Sequence, residues 1–297
     1  MRVRRSWQLY LLLALPMGYC LIFLYWPMYG LQLAFKDFNI VKGITASPWA
    51  GTKYLSQFFN SYLFWPVLRN TLVLNLYGLL ALFPLPIILA VMMNHVRSSK
   101  FRKSVQLITY APHFISVVVL VGIVIMLLSP VTGVINIPIR ALTGDGIDFL
   151  GPSMFAHTFV WSGAWQNLGY SAIIYLAALA GIDPELHEAA RVDGAGMWRR
   201  IWHIDLPGIM PVMITLLILN MGQMLSVGFE KVLLMQNSLN TGVSEVIDTY
   251  SYKVAFAGQL PQYSYATAIG LFKSVISLIL ILLANWLARR VAKQGLF

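Results

Sequence analysis

Long, nearly unbroken apolar runs separated by short charged segments dominate this chain. A helix needs about 20 apolar residues to cross a hydrocarbon layer of roughly 30 Å, because lipid offers no partner to an unpaired backbone amide. Six stretches meet that length, running approximately from Leu9 to Met28, Thr71 to Met93, Leu107 to Leu128, Phe155 to Ile182, Pro211 to Leu234 and Ala266 to Ala288. Pro84, Pro86 and Pro112, inside or at the edges of these runs, are tolerable in a span, since neighbouring helices or water satisfy the freed carbonyls. The pattern predicts an all-α, polytopic membrane protein with six transmembrane helices.

Charge sets the orientation. Lys and Arg resist translocation and collect on the cytoplasmic side. With the N-terminus inside, the cytoplasmic segments hold Arg2, Arg4, Arg5, Arg97, Lys100, Arg102, Lys103, Arg191, Arg199, Arg200, Arg289, Arg290 and Lys293. The outside holds the smaller set Lys36, Lys42, Lys53, Arg69, Arg140, Lys231 and Lys253. Both termini are therefore expected to be cytoplasmic and the chain to lie in the cytoplasmic (inner) membrane. The net charge of +10 is spread over several short loops rather than gathered on one face, which argues against a nucleic-acid partner.

Composition agrees, with 58% hydrophobic and 11% charged residues, against about 25% charged in soluble domains. Arg2, Arg4 and Arg5 before an apolar stretch resemble the start of a signal peptide. The stretch from Trp7 to Pro27 is longer than a signal core, however, and no small-x-small site follows, so it is read as a retained first span. Cys20, the single cysteine, excludes a disulfide framework or thiolate cluster. The longest loop, Tyr29 to Asn70, is external, and its Trp49, Tyr54, Phe58, Phe59, Tyr62 and Trp65 are expected to form an interfacial belt. This divides the chain into 1–66, a first helix with an external loop, and 67–297, a five-helix core carrying a cytoplasmic loop at 183–207.

That loop is the most charged cytoplasmic segment, and it reads as a short capped helix. Asp183 can accept from first-turn amides, Pro184 suits the first helical position, and Glu185 and Glu188 suit the positive end of the dipole. Gly194 supplies a left-handed stop. About ten residues at 1.5 Å each give a rod of roughly 15 Å, too short to span a membrane but long enough to fill a groove on a partner. A second amphipathic piece, with Met197, Ile201 and Ile204 on one side and Arg199 and Arg200 on the other, leads into the fifth span through Leu206 and Pro207.

Glu188-Ala189-Ala190, Gly194, Ile204 and Leu206-Pro207 stand at the spacing of the EAA signature, without a gap. The chain thus resembles the permeases of binding-protein-dependent ABC importers. The likeness extends through 29–38 (YGLQLAFKDF), 111–116 (APHFIS) and 177–182 (AALAGI), which are similar to the polysaccharide and oligosaccharide branch that includes alginate importer permeases. The resemblance implies a coupling helix seated on an ATPase, with Glu185, Glu188, Ala189, Ala190, Arg191, Asp193 and Gly194 as docking residues. It also implies a second homologous permease, two ATPase subunits, an external solute-binding protein and an oligosaccharide substrate. No Gly-x-x-x-x-Gly-Lys-Ser/Thr loop is present, so the chain offers no phosphate cradle and hydrolysis is expected elsewhere; the resemblance implies a non-catalytic subunit that binds no cofactor, with ATP and Mg in the ATPase partners.

Polar side chains at lipid depth are costly and tend to face a cavity or another helix. On a continuous fifth helix Asn220, Gln223 and Glu230 fall within about 80° of one another, a polar stripe. Gln166, Asn167 and Tyr170 cluster on the fourth, one turn after Trp161 and Trp165. Amides and aromatics together suit sugars, which need donors and acceptors as well as flat apolar faces. These six residues are the candidate substrate pathway, although amides also hold helices together. His113 is expected to cap or pack at the start of the third span, and no metal or catalytic group is expected. The rival reading is an ion-coupled secondary transporter of a polar solute, for which only Glu230 offers a candidate carboxylate.

Overall fold

The computed structural model describes residues 7–258 and 260–292. Among them every regular element is helical, and the only β-like pairing is an isolated antiparallel bridge between Lys36 and Trp49. Arg2, Arg4, Arg5 and Lys293, used above for orientation, lie outside the described residues. The chain divides into two units, residues 1–64 with 251–274 and residues 65–250 with 275–297.

Among the described residues, four helical stretches are long and apolar enough to cross a membrane: Gln8–Phe35, Phe64–His95, Met197–Gly222 and Tyr263–Arg290. A fifth exists if Ser99–Phe114 and Val117–Leu128, bent by 103°, form one span. The stretch expected to be the fourth span forms a helix of 26 residues, Phe155–Ala180. Its polar residues, Gln166 and Asn167 among them, leave it less apolar than those four.

In the first unit, α1 (Trp7–Cys20) continues through a π-helical turn (Leu21–Tyr25) into a 3-10 stretch (Trp26–Phe35). Its large apolar side chains are exposed, as suits a helix whose solvent is lipid. The following loop is tied to the start of the last helix by Ser264, whose Oγ donates to the Lys36 carbonyl at 2.6 Å and accepts from the Phe38 amide at 3.0 Å. Asp37 accepts from Lys53 Nζ at 2.8 Å and from the Tyr54 hydroxyl. The aromatic residues of this loop do not all form a belt. Phe58, on α2 (Lys53–Phe59), is fully buried against the rings of Phe59, Phe64, Tyr265 and Phe272 and is the core of the unit. Trp49 and Tyr62 remain exposed.

The second unit is organised by α3 (Phe64–Leu82), α4 (Pro84–His95), α5 (Ser99–Tyr110), α6 (Val117–Leu128) and α7 (Phe155–Ala180). Two prolines, Pro84 and Pro86, open α4 where their missing amides cost nothing. Ile87, Ala90, Val91 and Met93 of α4 pack with Ala172, Tyr175 and Leu179 of α7 and with Ile201 and Ile209. A second cluster joins Leu74, Val121, Val124, Phe155, Val227, Val232, Met235 and Val246.

Two expected spans are interrupted. The third bends between Phe114 and Val117: Ile115 is extended, and Ser116 caps α6 by accepting from the Val119 amide at 3.3 Å. The fifth ends at Gly222. It comprises α9 (Leu206–Gly222), preceded by the short docking candidate α8 (Pro184–Val192) and an elbow, and is separated from α10 (Phe229–Met235) by Gly228 at φ +77°. The last helix, α11 (Tyr263–Ala292), passes through both units.

Candidate docking helix and translocation cavity

Helix α8 is built from its ends. The Asp183 carboxylate accepts from the Glu185 amide at 3.0 Å, and Pro184 occupies the first turn. Glu185 stands at the positive end of the dipole and Arg191 at the negative end. At the other terminus Gly194 adopts φ +74°, and two bonds close a Schellman motif: Ala195 N–H to Ala190 O at 2.8 Å, and Gly194 N–H to Arg191 O at 3.1 Å. No residue of α8 is buried. Glu185, Glu188, Ala189, Arg191, Asp193 and Gly194 are exposed and Ala190 is half-buried. Leu186, Val192, Met197 and Trp198 add exposed apolar side chains on and just beyond the rod.

Beyond Gly196 the chain makes one helical turn (Met197–Arg200), widens into a π-helical turn (Ile201–Asp205) and enters α9, with Pro207 in its first turn. Gly208 makes room for Ile182: a Cβ there would stand 2.5 Å from Ile182 Cδ1. Ile182 stands just before the Asp183 cap, so the entry to the rod is seated on the start of α9, and its far end reaches α9 through the elbow.

The second unit also encloses a cavity of about 630 Å³, within the range of ligand pockets. Its walls come from α3, α7, the end of α9 and the segment leading into α10, with Pro86 of α4, Val117 of α6 and Lys231 of α10. Of the predicted pathway residues, Gln166, Asn167, Tyr170, Asn220 and Gln223 line it. Glu230 does not. The stripe assumed a continuous helix, but Gln223 caps α9 and Glu230 lies exposed in the first turn of α10, past the Gly228 break.

The α7 cluster also serves the bend. Gln166 Nε2 donates to the Ile115 carbonyl at 3.0 Å, Asn167 Oδ1 lies 3.0 Å from His113 Nδ1, and the His113 ring stacks on Tyr170 at 3.8 Å. The freed carbonyl at the bend is thus satisfied from across the unit, and His113 packs as expected.

Sequence reasoning missed Asn75, Ser171 and Lys231 in the cavity wall. Lys231, counted above as an external charge, is buried and, among the described residues, is the one charged side chain in the wall. Its Nζ donates to the Phe159 carbonyl at 2.7 Å and lies 4.6 Å from the centre of the Phe159 ring. Among the described residues that is its only hydrogen bond, so two of its three N–H groups are uncommitted. The available signal was a lysine flanked by Val227, Val232, Leu233 and Leu234.

Residues 83–293 match the family described as binding-protein-dependent transport system inner membrane component. The chain belongs to that family. It is 45% identical to protein LplB of Bacillus subtilis (strain 168) over 99% of this chain and 92% of the relative. It is 42% identical to the polygalacturonan/rhamnogalacturonan transport system permease protein YteP of the same organism, over 97% and 90%. Among solved structures, a chain of a bacterial alginate ABC transporter, determined with an alginate pentasaccharide-bound periplasmic protein, superposes with a TM-score of 0.90 at 40% identity, covering 99% of this chain and 98% of that one. The permease is therefore a multi-pass inner-membrane component of an ABC importer, and the ion-coupled alternative gives way.

Proposed function

We propose that this permease forms half of the translocation pathway for an acidic oligosaccharide, with Lys231 as the counter-ion to a sugar carboxylate. The observation that carries this reading is the cavity wall. Amides from Asn75, Gln166, Asn167, Asn220 and Gln223 supply donors and acceptors, Tyr170 and Tyr175 supply flat faces, and among the described residues no carboxylate shares the wall with the buried ammonium. The alginate and polygalacturonan systems among the relatives handle carboxylate-bearing polymers, which supports the same class of substrate.

The test is uptake by the complete importer in proteoliposomes, comparing a uronate oligosaccharide with its carboxyl-reduced counterpart. A hydrogen bond to a charged group contributes about 1.5–3 kcal/mol, so Lys231→Gln should cost the acidic substrate roughly 10- to 100-fold in uptake and spare the neutral one. Equal losses for both substrates would refute the assignment.

In the same reading the chain crosses the membrane six times with both termini in the cytoplasm, α7 serving as a span despite its polar residues. Those residues face the cavity or the α5–α6 bend rather than lipid, which removes the objection to burying them. Residues 1–66 supply the first helix and external loop, and 67–297 the core. The loop 183–207 docks an ATPase through Glu185, Glu188, Ala189, Ala190, Arg191, Asp193 and Gly194. The exposure and stiffness of α8 support this: a rod with no fully buried residue leaves most of its surface for another protein. A second homologous permease, two ATPase subunits holding ATP and Mg, and an external solute-binding protein complete the assembly.

A further inference from the structure

The docking rod meets the rest of its unit at a buried carboxylate. Asp205, the last residue of the elbow before α9, is fully buried. Its Oδ2 lies 2.7 Å from Nε2 of His95, in the last turn of α4. Its Oδ1 lies 3.3 Å from Nε2 of His187, on α8, but off the line of a hydrogen bond, so Oδ1 is left without one. The two imidazoles stand edge to face, 6.3 Å between centres. Three helices, α4, α8 and α9, thus converge on one side chain.

His187 is equally unfulfilled. Its Nδ1 is buried without a hydrogen-bond partner, and its Nε2 points at Asp205 without alignment. Among the described residues no other side chain of α8 makes an ion pair or hydrogen bond to another helix. A buried carboxylate is tolerated only with a partner that donates to it, and a buried acceptor left open favours any arrangement that closes it. The open acceptor and the misaligned donor face each other across 3.3 Å. A small shift of α8, which has no fully buried residue and is flanked by Gly181 and by Gly194 and Gly196, is enough to align them.

We propose that His187 and Asp205 form a latch that closes when α8 is pressed from outside, and that the closed latch passes that displacement to α4 and α9. Asp205 and His187 are positioning residues: they touch neither nucleotide nor substrate. The proposal rests on α8 being the ATPase-docking element. Closure of the latch gives the docked state a differential contact, which is what a partner needs in order to shift an equilibrium in this chain.

The test uses the complete importer in proteoliposomes with the binding protein and its saccharide. His187→Ala should raise the ATP hydrolysed per saccharide imported about fivefold or more, the lower end of measured couplings between sites. His187→Gln, which keeps an N–H able to reach Oδ1, should restore the ratio to within about twofold. A purely structural role would leave that ratio unmoved while lowering the amount of folded complex. A cross-link from Glu188→Cys to the ATPase runs in parallel. If no cross-link forms, the docking assignment falls and the latch with it. If it forms and His187→Ala couples normally, or His187→Gln is as uncoupled as His187→Ala, the latch alone is overturned.

Discussion

Helices α7 and α8 follow each other with only Gly181, Ile182 and Asp183 between them, yet they hold their shape by opposite means. Helix α7 is fixed by what crosses it. It buries residues along its whole length, from Phe155 to Leu179, and gives up its polar side chains to a bend in another part of the chain. Helix α8 has no fully buried residue, meets the rest of the unit through His187, and is shaped by a carboxylate at one end and a left-handed glycine at the other. A change in α7 should therefore be felt by the whole unit. A change in α8 should be felt by the partner that reads its shape.

The sharpest way to break this contrast is Gly169→Ala. A Cβ at Gly169 would stand 2.3 Å from the carbonyl oxygen and 2.4 Å from the carbonyl carbon of Thr109, both backbone atoms, so α5 itself has to move. Overpacking that cannot relax through a side chain lies at the upper end of the usual range, about 3 kcal/mol. The expected result is a lower thermal-unfolding midpoint in detergent and less folded protein. An unchanged midpoint would mean that α7 and α5 do not pack as described.

The same contrast explains which features the sequence made legible. Asp183, Pro184 and Gly194 act on neighbours within four residues, so residue type and spacing were enough to place both ends of α8. Apolar length placed most of the membrane helices, because crossing lipid is a demand on composition. What it does not carry is where a run breaks. Pro112 and the Ser116 cap bend the third run, and the fifth breaks between Gly222 and Gly228, though both breaks lie inside stretches long and apolar enough to be counted as spans. The bend is sustained by Gln166 reaching the Ile115 carbonyl, 51 residues away, and no local pattern reports such a bond. Once the fifth run is broken, a stripe drawn at 100° per residue no longer holds: Glu230 leaves the cavity wall and Lys231, counted as an outside charge, enters it.

Gly194→Val sharpens the other side of the comparison. Nothing lies within 4 Å of a Cβ at this position, so the cost is confined to the backbone at φ +74°. That conformation costs a residue bearing a Cβ about 1–2 kcal/mol, and it is charged to the last turn of a helix with no fully buried residue. The unfolding midpoint should stay at its wild-type value while amide exchange from Ala190 to Ala195 accelerates and ATP hydrolysis uncouples from uptake. A falling midpoint with normal coupling would show that α8 is bound into the core after all.

The smallest effect is expected at the opposite end. Asp183→Ala removes the bond to the Glu185 amide, worth about 1 kcal/mol at an N-cap. The exposed amide can turn to water instead, and Pro184 still holds its own φ near the helical value. Asp183→Ala should therefore loosen the first turn in hydrogen exchange and lower coupled uptake by less than Gly194→Val does. Asp183→Ser, which restores an acceptor without the charge, separates capping from the attraction of a carboxylate to the helix dipole. Recovery in Asp183→Ser would assign the effect to the cap. If Asp183→Ala proved the more damaging substitution, the rod would be held by its entry rather than by its glycine stop, and the direction in which it yields to a partner would be reversed.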